Sequence, residues 1–232
     1  MTGQHDHALL IEDAAYRWPG RGGFGLHVRH LALAPGERVL LLGESGSGKS
    51  TLLSLVCGIV TADAGRVVVG GTDLRALRPA ARDRLRAERI GVVFQQFNLL
   101  PHATALDNVV LPLAFAPKRR AKVADARAEA LRLTGALGLP DDAMTHGAAS
   151  RLSVGQQQRV AVARALIGAP ALIVADEPTS ALDAGSQGRF LDLMFAQCDA
   201  AGSTVLMVSH DARLADRFDR AVDLADLLAV PA

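Results

Sequence analysis

A glycine-rich segment at residues 43–50 constrains the fold of this chain more than any other feature. Its sequence, GESGSGKS, fits the pattern Gly-x4-Gly-Lys-Ser of a phosphate-binding loop. An apolar run at residues 39–42 precedes it, and an apolar helical pattern at residues 50–59 follows it. A strand that leads through such a loop into a helix presents backbone N–H groups and the positive helix end to an anion. The segment therefore predicts an α/β fold that binds a polyphosphate.

The chemistry of phosphate binding explains which residue types occur in this segment. Glycine at Gly43, Gly46 and Gly48 lets backbone N–H groups approach a phosphate without obstruction by side chains. Lys49 is predicted to reach the β- and γ-phosphates, and the Ser50 hydroxyl to ligate Mg²⁺. The residues predicted to bind the phosphates here are Gly43, Glu44, Ser45, Gly46, Ser47, Gly48, Lys49, Ser50 and Thr51.

Further apolar runs predict the rest of the fold. Residues 90–94, 171–175 and 204–208 are nearly continuous in apolar side chains, which suits parallel strands buried on both faces. Residues 9–14 and 26–33 mix polar and apolar residues and predict half-exposed antiparallel strands. Helical patterns cover residues 105–116 and 118–137. We therefore expect an α/β P-loop NTPase core with a mostly parallel sheet, an antiparallel N-terminal β-subdomain and an inserted α-helical subdomain.

The predicted organisation is one domain over residues 1–232. Its core comprises residues 1–100 and 149–232, and its helical subdomain about residues 101–148. The chain has 25 basic and 24 acidic residues, which argues against nucleic acid as a partner because that requires clustered positive charge. The sequence lacks a signal peptide and an apolar run of the ~20 residues that a membrane span needs. A cytoplasmic protein is expected.

Two acidic residues follow the predicted strand at residues 171–175. Ligands of open α/β sheets bind at the carboxyl ends of the strands, so Asp176 is placed to bind Mg²⁺ through its water shell. Glu177 is predicted to orient or deprotonate a water that attacks the γ-phosphate. Pro178 cannot donate a ladder hydrogen bond and ends the strand.

The segment RLSVGQQQRVAVARAL at residues 151–166 resembles the signature sequence of ATP-binding cassette (ABC) ATPases, Leu-Ser-Gly-Gly-Gln. It has valine at Val154 where the family pattern has glycine. The spacing of Ser153 and Gln156 also predicts a capping box at a helix N-terminus. The resemblance implies that Ser153, Gly155 and Gln156 contact the ATP bound to a second subunit, so that a head-to-tail homodimer encloses two nucleotides.

Other family motifs occur in the expected order. By resemblance, Gln95 is the Q-loop glutamine, Asp183 belongs to the D-loop, His210 is the switch histidine, and Trp18 stacks on adenine. Tyr16 is the less favoured candidate for stacking. The resemblance implies that Ser50, Gln95 and Asp176 hold Mg²⁺. The catalytic residues it implies are Glu177, His210, Lys49 and Gln95.

The resemblance also implies a membrane partner. Residues 97–101, FNLLP, are apolar and free of charge; they suit core packing equally well, but in the family this neighbourhood receives the permease. Residues 89–101 and 104–113 resemble the lipoprotein-releasing and macrolide-efflux branch, whereas residues 179–183 resemble amino-acid import ATPases. A signalling role in cell division is a further alternative. The expected location is the cytoplasmic face of the inner membrane, as a peripheral subunit.

The substitution of glycine by Val154 generates a prediction. Valine is strongly disfavoured only where the backbone requires a positive φ, and with an ordinary φ its methyl groups can point away from the nucleotide. We expect a working signature, so Val154→Gly should raise the steady-state ATPase rate only modestly. An increase by orders of magnitude would show that this position does require glycine.

Overall fold

The structure is a computed structural model that describes residues 7–20, 25–140, 144, 147–180 and 182–229. In chain order the strands are β1 (Leu9–Arg17), β2 (Gly25–Leu33), β3 (Arg38–Leu42), β4 (Ala64–Val69), β5 (Thr72–Asp73), β6 (Ile90–Val93), β7 (Leu172–Asp176), β8 (Thr204–Ser209) and β9 (Arg220–Asp223). The α-helices are α1 (Lys49–Val56), α2 (Pro79–Arg89), α3 (Ala105–Val110), α4 (Pro117–Ala121), α5 (Ala126–Ala136), α6 (Val154–Leu166), α7 (Ala184–Ala201) and α8 (Leu224–Leu227).

The strands form two sheets. One is antiparallel in the order β2-β1-β4-β5, and the other is parallel in the order β6-β7-β8-β3-β9. The parallel sheet has the chain order expected of crossover connections through helices, so its strands share one direction and their carboxyl ends lie along one edge. The predicted α/β fold class, with an antiparallel sheet formed partly from the N-terminal strands, is confirmed.

The parallel strands separate two hydrophobic cores. In β7, Leu172 and Val174 pack in the core beneath the antiparallel sheet, whereas Ile173 and Ala175 pack among the helices. Strands β3 and β8 divide their side chains in the same way. Because successive residues point to opposite faces of a strand, a sheet covered on both sides needs the continuous apolar runs that the sequence contains.

The predicted helices of the middle region end earlier than the pattern indicated. The pattern at residues 105–116 yields α3 and then a 3-10 turn, Leu111–Ala114, because Pro112 lacks the N–H that would continue an α-helix. The single helix expected at residues 118–137 is two helices, α4 and α5. Asp125 begins the second by accepting hydrogen bonds from the N–H groups of Arg127 and Ala128. Helix α1 is also shorter than expected, since it ends at Val56.

Strands β4, β5 and β9 and helix α2 were not predicted. Helix α2 buries none of its residues, so it lacks the apolar stripe that marks a helix in sequence. It is attached through the partly buried Leu85 and through polar side chains. Arg86 donates to the carbonyl oxygen of Cys57 at 3.4 Å, and Arg89 to that of Gly70 at 2.7 Å. Pro79 at its first turn was the available signal.

Gly91 in β6 allows the sheet and α6 to approach closely. A methyl group on its Cα would lie 2.2 Å from the carbonyl oxygen of Ala165. Gly91→Ala should therefore lower the free energy of unfolding by about 3 kcal/mol, as overpacking does, measured by urea denaturation. The matched control is Gly135→Ala in α5, where the new Cβ meets nothing within 4 Å. There alanine should add about 0.5–1 kcal/mol through helix propensity. Equal stability of the two variants would contradict the packing argument.

Candidate functional site

A cavity of about 920 Å³ lies along the carboxyl edge of the parallel sheet. The loop after β3, the end of β7 and the segments after β6 and β8 all contribute to it. Its lining contains predicted residues from five separate parts of the sequence: Trp18, Glu44, Ser45, Gly46, Gly48, Lys49, Ser50, Thr51, Gln95, Asp176, Glu177 and His210. Ser54, which sequence analysis did not identify, also lines it. Ser54 lies one helical turn after Ser50 and shares its face of the helix, so this spacing could have predicted that Ser54 lines the cavity.

The glycine-rich loop is shaped to receive an anion. Gly48 is the N-cap of α1 with φ 108°, and no side chain caps the helix there. The first N–H groups of α1 are thus available to a phosphate. Within the described residues, the buried Ser47 hydroxyl oxygen has no hydrogen-bond partner, so it too fits a polar ligand. A Cβ on Gly43 would lie 2.9 Å from that oxygen, so a larger residue there would force the Ser47 side chain to move.

Lys49 brings a buried positive charge to the loop. Its side chain is 8% exposed, and its Nζ donates hydrogen bonds to the carbonyl oxygens of Gly43 and Glu44, at 2.5 and 2.7 Å. The same Nζ is 4.0 Å from Oε1 of Glu177. The ammonium group therefore lies between the loop and the acids at the end of β7, which is the position from which it can contact a terminal phosphate.

Asp176 and Glu177 occupy different environments although they are adjacent. Burial raises the pKa of Asp176, and the charge of Glu177 raises it further, while Lys49 lowers it in part. Glu177 has a left-handed backbone with φ 45°, which is unusual for a residue other than glycine. Its N–H donates to the carbonyl oxygen of Val208 in β8.

His210 contacts the second of these acids. Its Nδ1 is 3.2 Å from Oε1 of Glu177, and its side chain is 63% exposed. The histidine follows β8, whereas the glutamate follows β7, and these two strands pair in parallel. Strand pairing alone thus brings together two residues that are far apart in sequence.

Trp18 is connected directly to the phosphate loop. Its indole N–H donates to the hydroxyl oxygen of Thr51 at 3.0 Å, and its ring packs edge-on against that of Tyr16 at 5.2 Å. Trp18 lines the cavity, as a base-stacking residue must. Tyr16 is not among the residues that line it.

The signature residues lie outside this cavity. Ser153 begins α6 and forms the predicted capping box: its N–H donates to Oε1 of Gln156 at 2.9 Å, and its hydroxyl accepts from the N–H of Gln156 at 3.3 Å. Asp183 is elsewhere too, where it caps α7 through the N–H of Ser186. The same hydrogen bonding lowers the pKa of Asp183. Ala181 of the predicted D-loop lies outside the described residues.

Val154 and Gly155 form the first turn of α6. Val154 is 54% exposed and, as a helical residue, does not have a positive φ. The backbone therefore does not require glycine there. A Cβ on Gly155 would come no closer than 3.7 Å to another group, the Arg159 guanidinium. Nothing described within the subunit explains the glycine at 155.

Comparison with known proteins identifies the family. The sequence profile described as "ABC transporter" matches residues 26–180, more than half of the chain. The chain belongs to the ABC transporter family. It is accordingly an ATP-binding subunit and an ATP hydrolase, as the motifs predict.

Three sequence relatives carry the same name. The "Lipoprotein-releasing system ATP-binding protein LolD" of Anaeromyxobacter dehalogenans is 47% identical over 202 residues, which cover 87% of this chain and 82% of that protein. The protein of that name from Porphyromonas gingivalis is 41% identical, over 84% and 87% of the two chains. The one from Pseudomonas fluorescens is 42% identical, over 84% of each. The branch of the ABC family predicted from the sequence is thus confirmed.

Solved structures agree with the fold. An ATP-binding cassette in a dimeric post-hydrolysis state, bound to ADP and Pi, is similar with a TM-score of 0.79 and 33% identity, over 93% of each chain. A second dimeric structure, described as a bacterial ABC transporter cassette, gives a TM-score of 0.79 and 32% identity over the same shares. Among the described residues of this ABC protein, no helix is both long and apolar enough to cross a membrane.

Removal of the Lys49 ammonium tests the site. Lys49→Met should weaken ATP binding roughly 10- to 100-fold, because a charge-assisted hydrogen bond to a phosphate contributes about 1.5–3 kcal/mol. Titration with a fluorescent ATP analogue measures the change. Lys122→Met is the matched control, since Lys122 also donates to a backbone carbonyl, that of Ala169, but lies outside the cavity. Equal ATP affinity in the two variants would place the phosphates elsewhere.

Proposed function

We propose that this ABC subunit hydrolyses ATP to drive a separate membrane permease of the lipoprotein-releasing type. The observation that carries the proposal is the 47% identity to a lipoprotein-releasing ATP-binding protein over 87% of this chain. The three relatives favour the branch predicted from residues 89–113 over the import branch predicted from residues 179–183. Its working location is the cytoplasmic face of the inner membrane, as a peripheral subunit.

The phosphate loop and Trp18 bind ATP. The free N–H groups at the start of α1 and the Lys49 ammonium contact the β- and γ-phosphates, while the indole of Trp18 stacks on adenine. Ser50, Asp176 and Gln95 offer the oxygen ligands that Mg²⁺ prefers, and all three line the cavity. When bound, this ion supplies positive charge that offsets the negative charge on the phosphate oxygens.

Glu177 and His210 act on the attacking water. Oxygen of the water bonds to the γ-phosphorus as the bond to the β–γ bridging oxygen breaks, and the Glu177 carboxylate accepts the proton of the water. His210, 3.2 Å from that carboxylate, orients it and contacts the γ-phosphate. Most of the catalysis is positioning and charge stabilisation, in keeping with phosphoryl transfer.

A second copy of the chain completes the site. Ser153, Gly155 and Gln156 lie outside the cavity of their own subunit, and Gly155 has no described packing reason within it. The position of these residues and the glycine at 155 are both explained if the start of α6 faces the γ-phosphate bound to the partner subunit. A Cβ at residue 155 would then obstruct the phosphate. The dimeric state of the related cassette with ADP and Pi supports this arrangement.

A groove beside the ATP cavity is proposed to receive the permease. It has a volume of about 440 Å³, and Phe94 lines it while the next residue, Gln95, lines the ATP cavity. Two of its residues expose large apolar side chains, Phe115 at 67% and Ile59 at 55%. Leu100, 47% exposed, ends the connecting loop. Exposed apolar groups of this kind mark a protein interface.

The experiment uses a variant that binds but does not hydrolyse ATP. Glu177→Gln should form a stable dimer in saturating Mg-ATP, because the proton acceptor is lost while the nucleotide still bridges the subunits. Light scattering gives the mass. Adding Gly155→Ala should return this variant to a monomer without lowering the thermal midpoint, since alanine fits the isolated helix. A Glu177→Gln protein that stays monomeric, or a dimer indifferent to Gly155→Ala, contradicts the proposal.

A further inference from the structure

The loop between Gln95 and Leu100 is strained. Phe97 has φ 59° and Asn98 has φ 47°, so two consecutive residues other than glycine adopt the left-handed region. Asparagine tolerates this conformation, but for phenylalanine it is an outlier. Residues in such conformations persist only where the surrounding structure holds them, and they are concentrated at switches and active sites.

One buried side chain holds both strained residues. The guanidinium of Arg164 in α6 donates to the carbonyl oxygen of Asn98 at 2.7 Å and to that of Phe97 at 2.5 Å. Arg164 is 9% exposed, and desolvation by burial lowers its pKa; its two described hydrogen bonds both go to this loop. A planar fork of donors suits two neighbouring carbonyl oxygens in a way that a lysine ammonium does not.

The two ends of the loop have different surroundings. Gln95 lines the ATP cavity. At the other end, the fully buried side chain of Asn108 accepts from the N–H of Leu100 at 2.7 Å and donates to its carbonyl oxygen at 3.1 Å. Leu100 itself is 47% exposed. The loop is thus held at its middle and at its far end. The N–H of Phe97 also donates to the carbonyl oxygen of Phe94 at 2.9 Å, so the residue that Arg164 holds closes the turn that contains Gln95.

We infer that Arg164 is a positioning residue for ATP hydrolysis, which holds the loop in its left-handed turn so that Gln95 is presented to the bound nucleotide. This inference rests on the proposed function. Arg164 touches neither nucleotide nor attacking water; it acts through Gln95. Its position in α6, the helix that begins at Ser153, also joins the loop to the signature segment.

The first test is Arg164→Lys, assayed as the full chain with Mg-ATP. We expect kcat for ATP hydrolysis to fall roughly 10-fold, the equivalent of one charge-assisted hydrogen bond, with KM for ATP changed less than about 3-fold. Arg119→Lys is the matched control. Arg119 is also a buried arginine that donates to carbonyl oxygens, those of Ala165 and Ile167, but it does not contact the loop. That control should lower the thermal midpoint similarly and leave kcat intact.

The second test asks whether Arg164 acts through Gln95. In a double-mutant cycle, Gln95→Ala should lower kcat, and Arg164→Lys should then lower it no further. A purely structural role for Arg164 predicts the same loss in both backgrounds. Multiplicative effects, or a wild-type kcat in Arg164→Lys, overturn the inference.

The strain itself gives a third comparison. Glycine adopts φ 47° at no cost, whereas a β-branched residue resists it. The kcat of the Asn98→Gly variant should therefore be several-fold higher than that of the Asn98→Val variant. Equal kcat values would overturn the argument from strain. Absence of ATPase activity in the wild-type chain would instead reject the proposed function, so the two failures are distinguishable.

Discussion

The organisation of this protein follows from the need to place positive and polar groups around a polyphosphate. No single segment can supply them, because a triphosphate with its cation requires N–H groups, an ammonium and carboxylates from several directions. The parallel sheet meets the need by bringing the ends of β3, β6, β7 and β8 to one edge. The two cores on its faces hold those strands in register, so packing far from the nucleotide fixes the geometry of the site.

Backbone strain occurs at two points of this edge. Glu177 at the end of β7 and Phe97–Asn98 after β6 all have positive φ without being glycine. Each is held by a hydrogen bond from or to a different element: β8 holds Glu177, and α6 holds the loop. Strained segments that depend on their neighbours can change conformation when those neighbours move. Glu177 and the loop after β6 therefore depend on neighbouring elements through the same kind of contact.

The sequence predicted the fold class and many of the residues that line the cavity, but not every helix. Lys49, Asp176 and Glu177 were predicted from the chemistry of phosphate binding and His210 from the family resemblance, and all four line the cavity. The apolar runs of β3, β7 and β8 were equally clear. Helix α2 was missed because it buries no residue, and the long helix expected at residues 118–137 was interrupted by local capping at Asp125. The role proposed for Arg164 was beyond sequence reasoning, since it depends on a contact between residues 66 positions apart.

Helix α2 has a physical consequence of its own. Its arginines bind carbonyl oxygens of neighbouring loops, and its contact with the cores is limited to the partly buried Leu85. Detachment of this helix exposes little apolar surface, so such an opening involves almost no change in heat capacity and is nearly insensitive to urea. Helix α2, which forms one wall of the groove, can thus open locally while the sheet beneath it stays folded. We expect its amide hydrogens to exchange through this local opening rather than through global unfolding.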